Sequence, residues 1–341
     1  MSVGAIPAAA AGASDAPALR PVGRPLRRLL RRPPAVVGAL VVLAFVAVAA
    51  LAPWLAPYDP AKPDFLAVRQ APSAAYPLGT DEIGRDVLSR TLFGARASLI
   101  AGVISVAIAV GVGVPLGLLS GYYRGALDEL IMRVTDAVLS FPFLILAIAL
   151  AAALGPSLTN AMIAIGIATT PTFVRLTRAQ VLAVGAEDYV QAARALGASD
   201  ARIIARHVFP NSFAPLLVQA TLTIAQAVIA ESALSFLGLG VQPPTPSWGG
   251  MLNTAKNFLV QAPWMAVFPG LSIFLTVLAF NLFGDGLRDA GAIRVIDRKP
   301  HFRTRSDALR RRKWASRQRR PAGHLLCDRW GPIPAAGSAH V

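Results

Sequence analysis

The sequence has a single cysteine, Cys327, so no disulfide can form within the chain and the redox compartment is left open. Its four lysines, at 62, 256, 299 and 313, each follow a residue other than glycine. The chain therefore lacks the G-x-x-x-x-G-K-[ST] loop that cradles nucleotide phosphates. His207, His301, His324 and His340 have no partner at metal-ligand spacing, and no G-x-S-x-G nucleophile turn occurs. An enzyme reading is thus left without a metal, a resident cofactor or a catalytic group.

Charge is missing as well, over long stretches. Residues 33–58, 97–123, 137–174, 207–230 and 257–284 contain no Asp, Glu, Lys or Arg. A spanning helix needs about 20 such residues, and a charge at its centre costs about 3 kcal/mol. The run 137–174 is too long for one crossing and carries the turn signal Gly155-Pro156-Ser157 near its middle. These runs predict an all-α membrane protein with six transmembrane helices, near 35–56, 98–120, 132–154, 158–178, 213–236 and 264–286. Pro142 and Pro171 fall inside the third and fourth and predict kinks there, which suit either a pathway that opens and closes or simple packing.

The net charge of +15 is confined to the two tails, and the middle of the chain is balanced. Residues 1–33, rich in Ala, Pro and Arg, are expected to be a disordered basic segment. Arg27, Arg28, Arg31 and Arg32 precede the first apolar run, so the positive-inside rule keeps the N-terminus cytoplasmic. Arg175 and Arg178 at the end of the fourth helix place residues 187–211 on the same side. The basic balance is therefore no sign of nucleic-acid binding by the folded body.

Between the apolar runs lie a few dense polar motifs. After the first helix (34–57), the outside loop 58–97 contains YPLGTDEIGRDVLSR, in which Gly79 and Gly84 permit tight turns beside Thr80. Asp81, Glu82, Arg85, Asp86 and Arg90 are placed to pair among themselves. Gly113, Gly117 and Gly121 make a small-residue face suited to close helix contact. Glu231 is the acidic residue lying within an apolar segment, either a pathway group or a paired or hydrated carboxylate at the outer boundary. Pro243, Pro244 and Pro246 stiffen the loop that follows, and Trp248 is expected at the membrane interface.

The longest polar interruption in the second half, residues 187–211, reads EDYVQAARALGASDARIIARHVFPN. Its pattern predicts two short helices: Gly197 ends the first in the left-handed conformation, Ser199 or Asp200 caps the second, and Pro210 stops it. Ala192 and Ala193 let another surface approach the backbone, while Arg194, Arg202 and Arg206 offer charge to an acidic partner.

Gln191-Ala192-Ala193, Gly197 and Phe209-Pro210 together resemble the EAA loop of ABC importer permeases. Gln191 departs from that pattern, which has Glu, and His207 and Phe209 stand where Ile and Leu are usual. Residues 76–99, 230–251 and 281–290 resemble signatures of the dipeptide/oligopeptide/nickel permease family, so the likeness covers roughly residues 34–290. It implies a type I ABC importer permease fold, with core helices over 98–290, in the cytoplasmic membrane. Gln191, Ala192, Ala193, Gly197, Asp200, His207 and Pro210 would then face an ATPase. The implied partners are a homologous second permease, two ATPase subunits that carry ATP and Mg, an extracytoplasmic solute-binding protein and membrane lipid, with no nucleic acid. The solute would be a dipeptide, an oligopeptide or a nickel complex. Two rivals are a secondary transporter, which needs paired ionisable groups at mid-membrane, and a membrane anchor that works through its basic tails. Beyond Ala290 the likeness stops: the basic stretch 291–341 is expected to be either an unselected extension, such as a frameshift would append, or a cytoplasmic tail that binds anionic lipid.

Overall fold

The computed structural model describes residues 32–296. The expected disordered N-terminal segment and almost all of the basic stretch 291–341 lie outside the described residues.

The described residues are mostly helical. α1 (Pro33–Leu55) leads through an ordered loop to α2 (Val87–Tyr123), and a sharp turn at Arg124 starts α3 (Gly125–Leu139). Then come α4 (Phe143–Leu154), α5 (Leu158–Gly185) and the short lobe helices α6 (Asp188–Ala195) and α7 (Asp200–Ile203). A π-helical turn, Ile204–Val208, joins α7 to α8 (Phe209–Phe236), and α9 (Trp248–Ala255) and α10 (Trp264–Ile296) complete the described part. By length and composition α1, α2, the run Asp200–Phe236 and α10 are each apolar enough to cross a membrane. α3 and α4 count as a fifth, broken span, bent by 90°.

The fourth predicted helix is α5, which is absent from these spans because of its threonines and arginines. It does not need to be so apolar, since it packs between α2, α4 and α8. Thr169 and Thr170 turn their hydroxyls back to the carbonyls of Ile165 and Gly166 at 2.8 Å, one turn below each residue. These bonds satisfy polar groups beside Pro171, and α5 runs unbroken through that proline.

α2 and α5 share the most extensive helix contact in the molecule. Gly113, Gly117 and Gly121 lie along it as predicted. A Cβ on Gly117 would sit 2.6 Å from the Thr177 Cβ and the Val174 carbonyl oxygen, so the backbones meet with nothing between them. The central core follows the same economy: Ala109, Ala151, Ala161, Ala164, Ala227 and Ala230 are buried beside Ile165, Phe173 and Leu234. Close approach of small residues replaces the hydrophobic effect, which lipid cannot supply between helices.

Several expectations are corrected. α2 begins at Val87 rather than near 98, because Asp86 caps it, accepting from the Ser89 amide at 2.8 Å. Its 37 residues reach about 55 Å at 1.5 Å per residue, well beyond a hydrocarbon core of about 30 Å. The third predicted helix is two helices, broken at Ser140-Phe141-Pro142, with Pro142 as the residue that caps α4. Pro210 does not stop the lobe's second helix. The π turn shifts the bonding, so that the Phe209 amide reaches back five residues to Ile204, and the proline falls in the first turn of α8, where no amide is needed. The last helix continues ten residues past its predicted end at 286, to Ile296.

Candidate coupling lobe and signature loop

Residues 187–211 form a small lobe at the far end of α2 from the YPLGTDEIGRD loop. α6 ends in a Schellman motif: Gly197 takes φ +78°, its amide donates to the Arg194 carbonyl at 3.0 Å, and the Ala198 amide donates to Ala193 at 3.1 Å. Ser199 stands at the start of α7 but makes no side-chain cap there. Val190, Ile203 and Val208 of the lobe close on Val181 of α5 into a small core, against which Leu118 and Tyr122 of α2 pack.

What this core leaves outside is specific. Leu196 is 89% exposed, Ala192, Gly197, Arg202 and Arg206 are exposed as well, and Ala193 is half-buried. Gln191 is exposed, and its side-chain amide donates to the Gly185 carbonyl at the end of α5 at 2.7 Å. A glutamate could not donate that bond. The His207 ring lies 6.1 Å from that of Tyr189, and its carbonyl accepts from Asn211 at 2.6 Å. Asp200 accepts from the Tyr122 hydroxyl at 2.6 Å, and the Arg194 guanidinium sits 5.6 Å from the Tyr122 ring centre.

At the other end, the YPLGTDEIGRD loop is a folded plug rather than a solvated helix. Gly79 and Gly84 both have positive φ, and Gly84 presses so closely on Asp64 that a Cβ would lie 1.7 Å from its carbonyl oxygen. Asp81 and Arg85 pair at 2.6 Å, Arg85 also reaches Glu82 at 2.6 Å, and Arg90 approaches Asp81 at 3.4 Å. Asp86 is the exception, spent on capping α2. Burial, and then the Asp81 charge, push the Glu82 carboxyl above its ordinary range.

One tryptophan holds this plug and a second holds the first turns of α2 behind it. The Trp264 indole donates to the Thr80 carbonyl and the Trp248 indole to that of Thr91, both at 3.0 Å. Trp248 is therefore not an interfacial anchor as expected. It is fully buried, edge-on to Phe45 and against Gly94, where a Cβ would meet its ring at 2.9 Å. Tryptophan's mixed apolar and polar character fits either place, so its residue type alone carried no signal for this role.

Glu231 is also fully buried, which excludes a hydrated carboxylate at the boundary. Ser98 of α2 donates to one oxygen at 2.9 Å and Ser235 to the other at 2.7 Å. Pro142 lies exposed at the α3–α4 break and Pro171 buried inside α5. The ion pairs Asp128–Arg178 at 2.6 Å and Asp136–Arg175 at 2.6 Å clamp α3 onto α5 at the lobe end. These partners were legible only as charges flanking apolar runs. Among the described residues no three His, Cys, Asp or Glu side chains gather as metal ligands would.

This arrangement has counterparts. Residues 113–296 match the model of a binding-protein-dependent transport system inner membrane component, and residues 22–72 match the N-terminal TM domain of oligopeptide transport permease C. The chain is 46% identical to the glutathione transport system permease protein GsiD of Pectobacterium atrosepticum, over 77% of this chain and 88% of that protein. It is 45% identical to the dipeptide transport system permease protein DppC of Alkalihalophilus pseudofirmus, over 80% and 90%. With the di/tripeptide transport system permease protein DppC of Pseudomonas aeruginosa the identity is 50%, over 74% and 86%. An inward-facing structure of the MetNI methionine ABC transporter superposes with a TM-score of 0.50 at 19% identity, covering 60% of this chain and 97% of that one, which supports the fold alone. The chain belongs to the family of binding-protein-dependent transport system inner membrane components.

Proposed function

We propose that this chain is the C-type permease subunit of an ATP-driven importer that carries dipeptides or other short peptides across the cytoplasmic membrane. The observation that carries the reading is the lobe. It folds on a small apolar core that includes Val181 of α5, turns in the left-handed conformation at Gly197, and exposes Leu196, Arg202 and Arg206, side chains suited to an acidic-rimmed apolar pocket.

 ATP and Mg would be bound by two ATPase subunits, one docked on this lobe. A homologous second permease would complete the pathway, and an extracytoplasmic binding protein would deliver the peptide at the plug end. On this reading the N- and C-termini and the lobe are cytoplasmic, as Arg32, Arg175 and Arg178 at the lobe end favour. Gln191, Ala192, Ala193, Gly197, Asp200, His207 and Pro210 form or support the docking surface, while Glu231, Pro142 and Pro171 belong to the moving part of the bundle. Closure of the ATPases would move the lobe as a rigid body and switch the bundle between outward and inward access.

The test is co-purification of the ATPase from membranes, together with uptake of a labelled dipeptide in the presence of the binding protein. A β-branched residue at Gly197 is strained by the left-handed backbone. Gly197→Val is therefore expected to abolish both ATPase retention and uptake while the chain stays in the membrane. Retention and uptake at wild-type levels would contradict the reading.

A further inference from the structure

We propose that Tyr122 is the joint through which movement of the lobe enters the helix bundle, a positioning residue for the transport cycle. The inference rests on the reading of the lobe as the ATPase dock. Tyr122 sits in the last turn of α2, half-buried, and touches both lobe helices by different chemistry. Its hydroxyl donates to Asp200, the first residue of α7, at 2.6 Å, and its ring lies under the guanidinium of Arg194 in α6 at 5.6 Å. The same ring packs on the lobe core of Val181, Val190, Ile203 and Val208. A rotation of either lobe helix therefore pulls on one residue of α2.

What lies behind Tyr122 makes that pull consequential. One residue earlier, Gly121 rests on Val181 of α5, and the glycine contacts continue through Gly117 and Gly113, so α2 and α5 have no side-chain cushion in which to absorb a displacement. Two residues earlier, the Ser120 hydroxyl bonds Asp128 of α3, which the Arg178 guanidinium of α5 grips through two nitrogens at 2.6 and 2.7 Å. α3 in turn reaches the 90° bend before α4. The end of α2 thus gathers lobe, α3 and α5 within one turn, and Tyr122 is its contact with both α6 and α7. The lobe has other attachments, since the chain enters it from α5 and leaves through α8. Leu118 of α2 also packs on the lobe core and Gln191 bonds the Gly185 carbonyl of α5, but the Tyr122–Asp200 bond is the one that ties the end of α2 to α7 by a hydroxyl, which a single-atom change removes.

The experiment compares Tyr122→Phe, Asp200→Ala, Asp200→Asn and the Tyr122→Phe/Asp200→Ala double variant in the complete importer, reconstituted in vesicles with its ATPase and binding protein. Phenylalanine keeps the ring under Arg194 and on the lobe core and removes only the hydroxyl, which bonds Asp200 and is also reached by the Arg194 side chain. Asparagine keeps an acceptor for the hydroxyl. ATPase retention, ATP hydrolysis and labelled dipeptide uptake are measured on each. Tyr122→Phe is expected to retain the ATPase fully while uptake per ATP hydrolysed falls about tenfold, within the range that coupling between two sites spans, and Asp200→Ala should show the same fall in that ratio. The double variant should fall no further than either single one, and Asp200→Asn should remain near wild type. An unchanged ratio in Tyr122→Phe overturns the proposal, as does loss of the ATPase from that variant, which would make the hydroxyl a support of lobe folding. Failure of the underlying reading is seen separately, as wild-type complex that holds no ATPase or takes up no dipeptide.

Discussion

The indole nitrogen of Trp264 donates to the carbonyl of Thr80 at 3.0 Å, fastening the start of α10 to a loop 184 positions earlier in the chain. Gly79, beside that carbonyl, has no room for a side chain, because a Cβ would lie 2.7 Å from both the indole nitrogen and the Gln70 carbonyl oxygen. The plug is thereby joined to the last helix of the bundle as well as to α2, which it caps.

Trp264→Phe keeps most of the ring and removes the donor, leaving the Thr80 carbonyl without that partner. The loss should be about 1 to 2 kcal/mol. It is measured as a lower thermal midpoint of the detergent-solubilised protein and as faster proteolysis within residues 57–86. An unchanged cleavage rate would show that the tryptophan does not hold the loop.

Glu82 sets a pH dependence in the same plug. Burial and the neighbouring Asp81 raise its pKa above the ordinary 4.5. For a carboxyl raised in the folded state, the contribution to stability is complete below the unfolded value and is lost as pH rises through the folded one. Wild-type protein should therefore lose thermal stability relative to Glu82→Gln as pH increases from about 4.5 through the raised pKa. Parallel melting curves for the two proteins across that window would contradict the assignment.

Gly117→Val tests the contact between α2 and α5. Its side chain would have to enter a space where Thr177 and the Val174 carbonyl already stand 2.6 Å from the first added carbon. Overpacking of this kind costs about 1 to 3 kcal/mol, and more where backbone is the obstacle. The expected result is a large fall in the yield of folded protein from membranes. Gly111→Val, at a position with open space around it, should be tolerated.

Much of this architecture was legible because charge is so costly in lipid. The charge-free runs marked the apolar helices, and Gly155-Pro156-Ser157 marked the turn between α4 and α5, where Gly155 has φ +92° and Ser157 caps the next helix. Gly197 marked the lobe's turn for the same kind of local reason. The failures are equally physical. Pro210 reads as a stop because the rule assumes ordinary helical bonding, and the π turn at Ile204–Val208 changes that bonding without a residue type to announce it. Trp248 and Trp264 act on carbonyls more than 150 positions away, which no local pattern encodes. The charges of the signature loop were read as mutual partners, and Asp86 was instead taken by the amide of Ser89, a bond open to any aspartate that precedes a helix.

The most direct measurement concerns Leu196, which is 89% exposed and contributes nothing to the lobe core. Leu196→Asp should leave the chain folded and inserted, with its plug and bundle intact. A central apolar contact of an interface is worth about 2 to 4 kcal/mol, so ATPase recovered with the permease should drop at least tenfold and peptide uptake should fall with it. Full recovery of the ATPase with Leu196→Asp would contradict the claim that this lobe is where the two subunits meet.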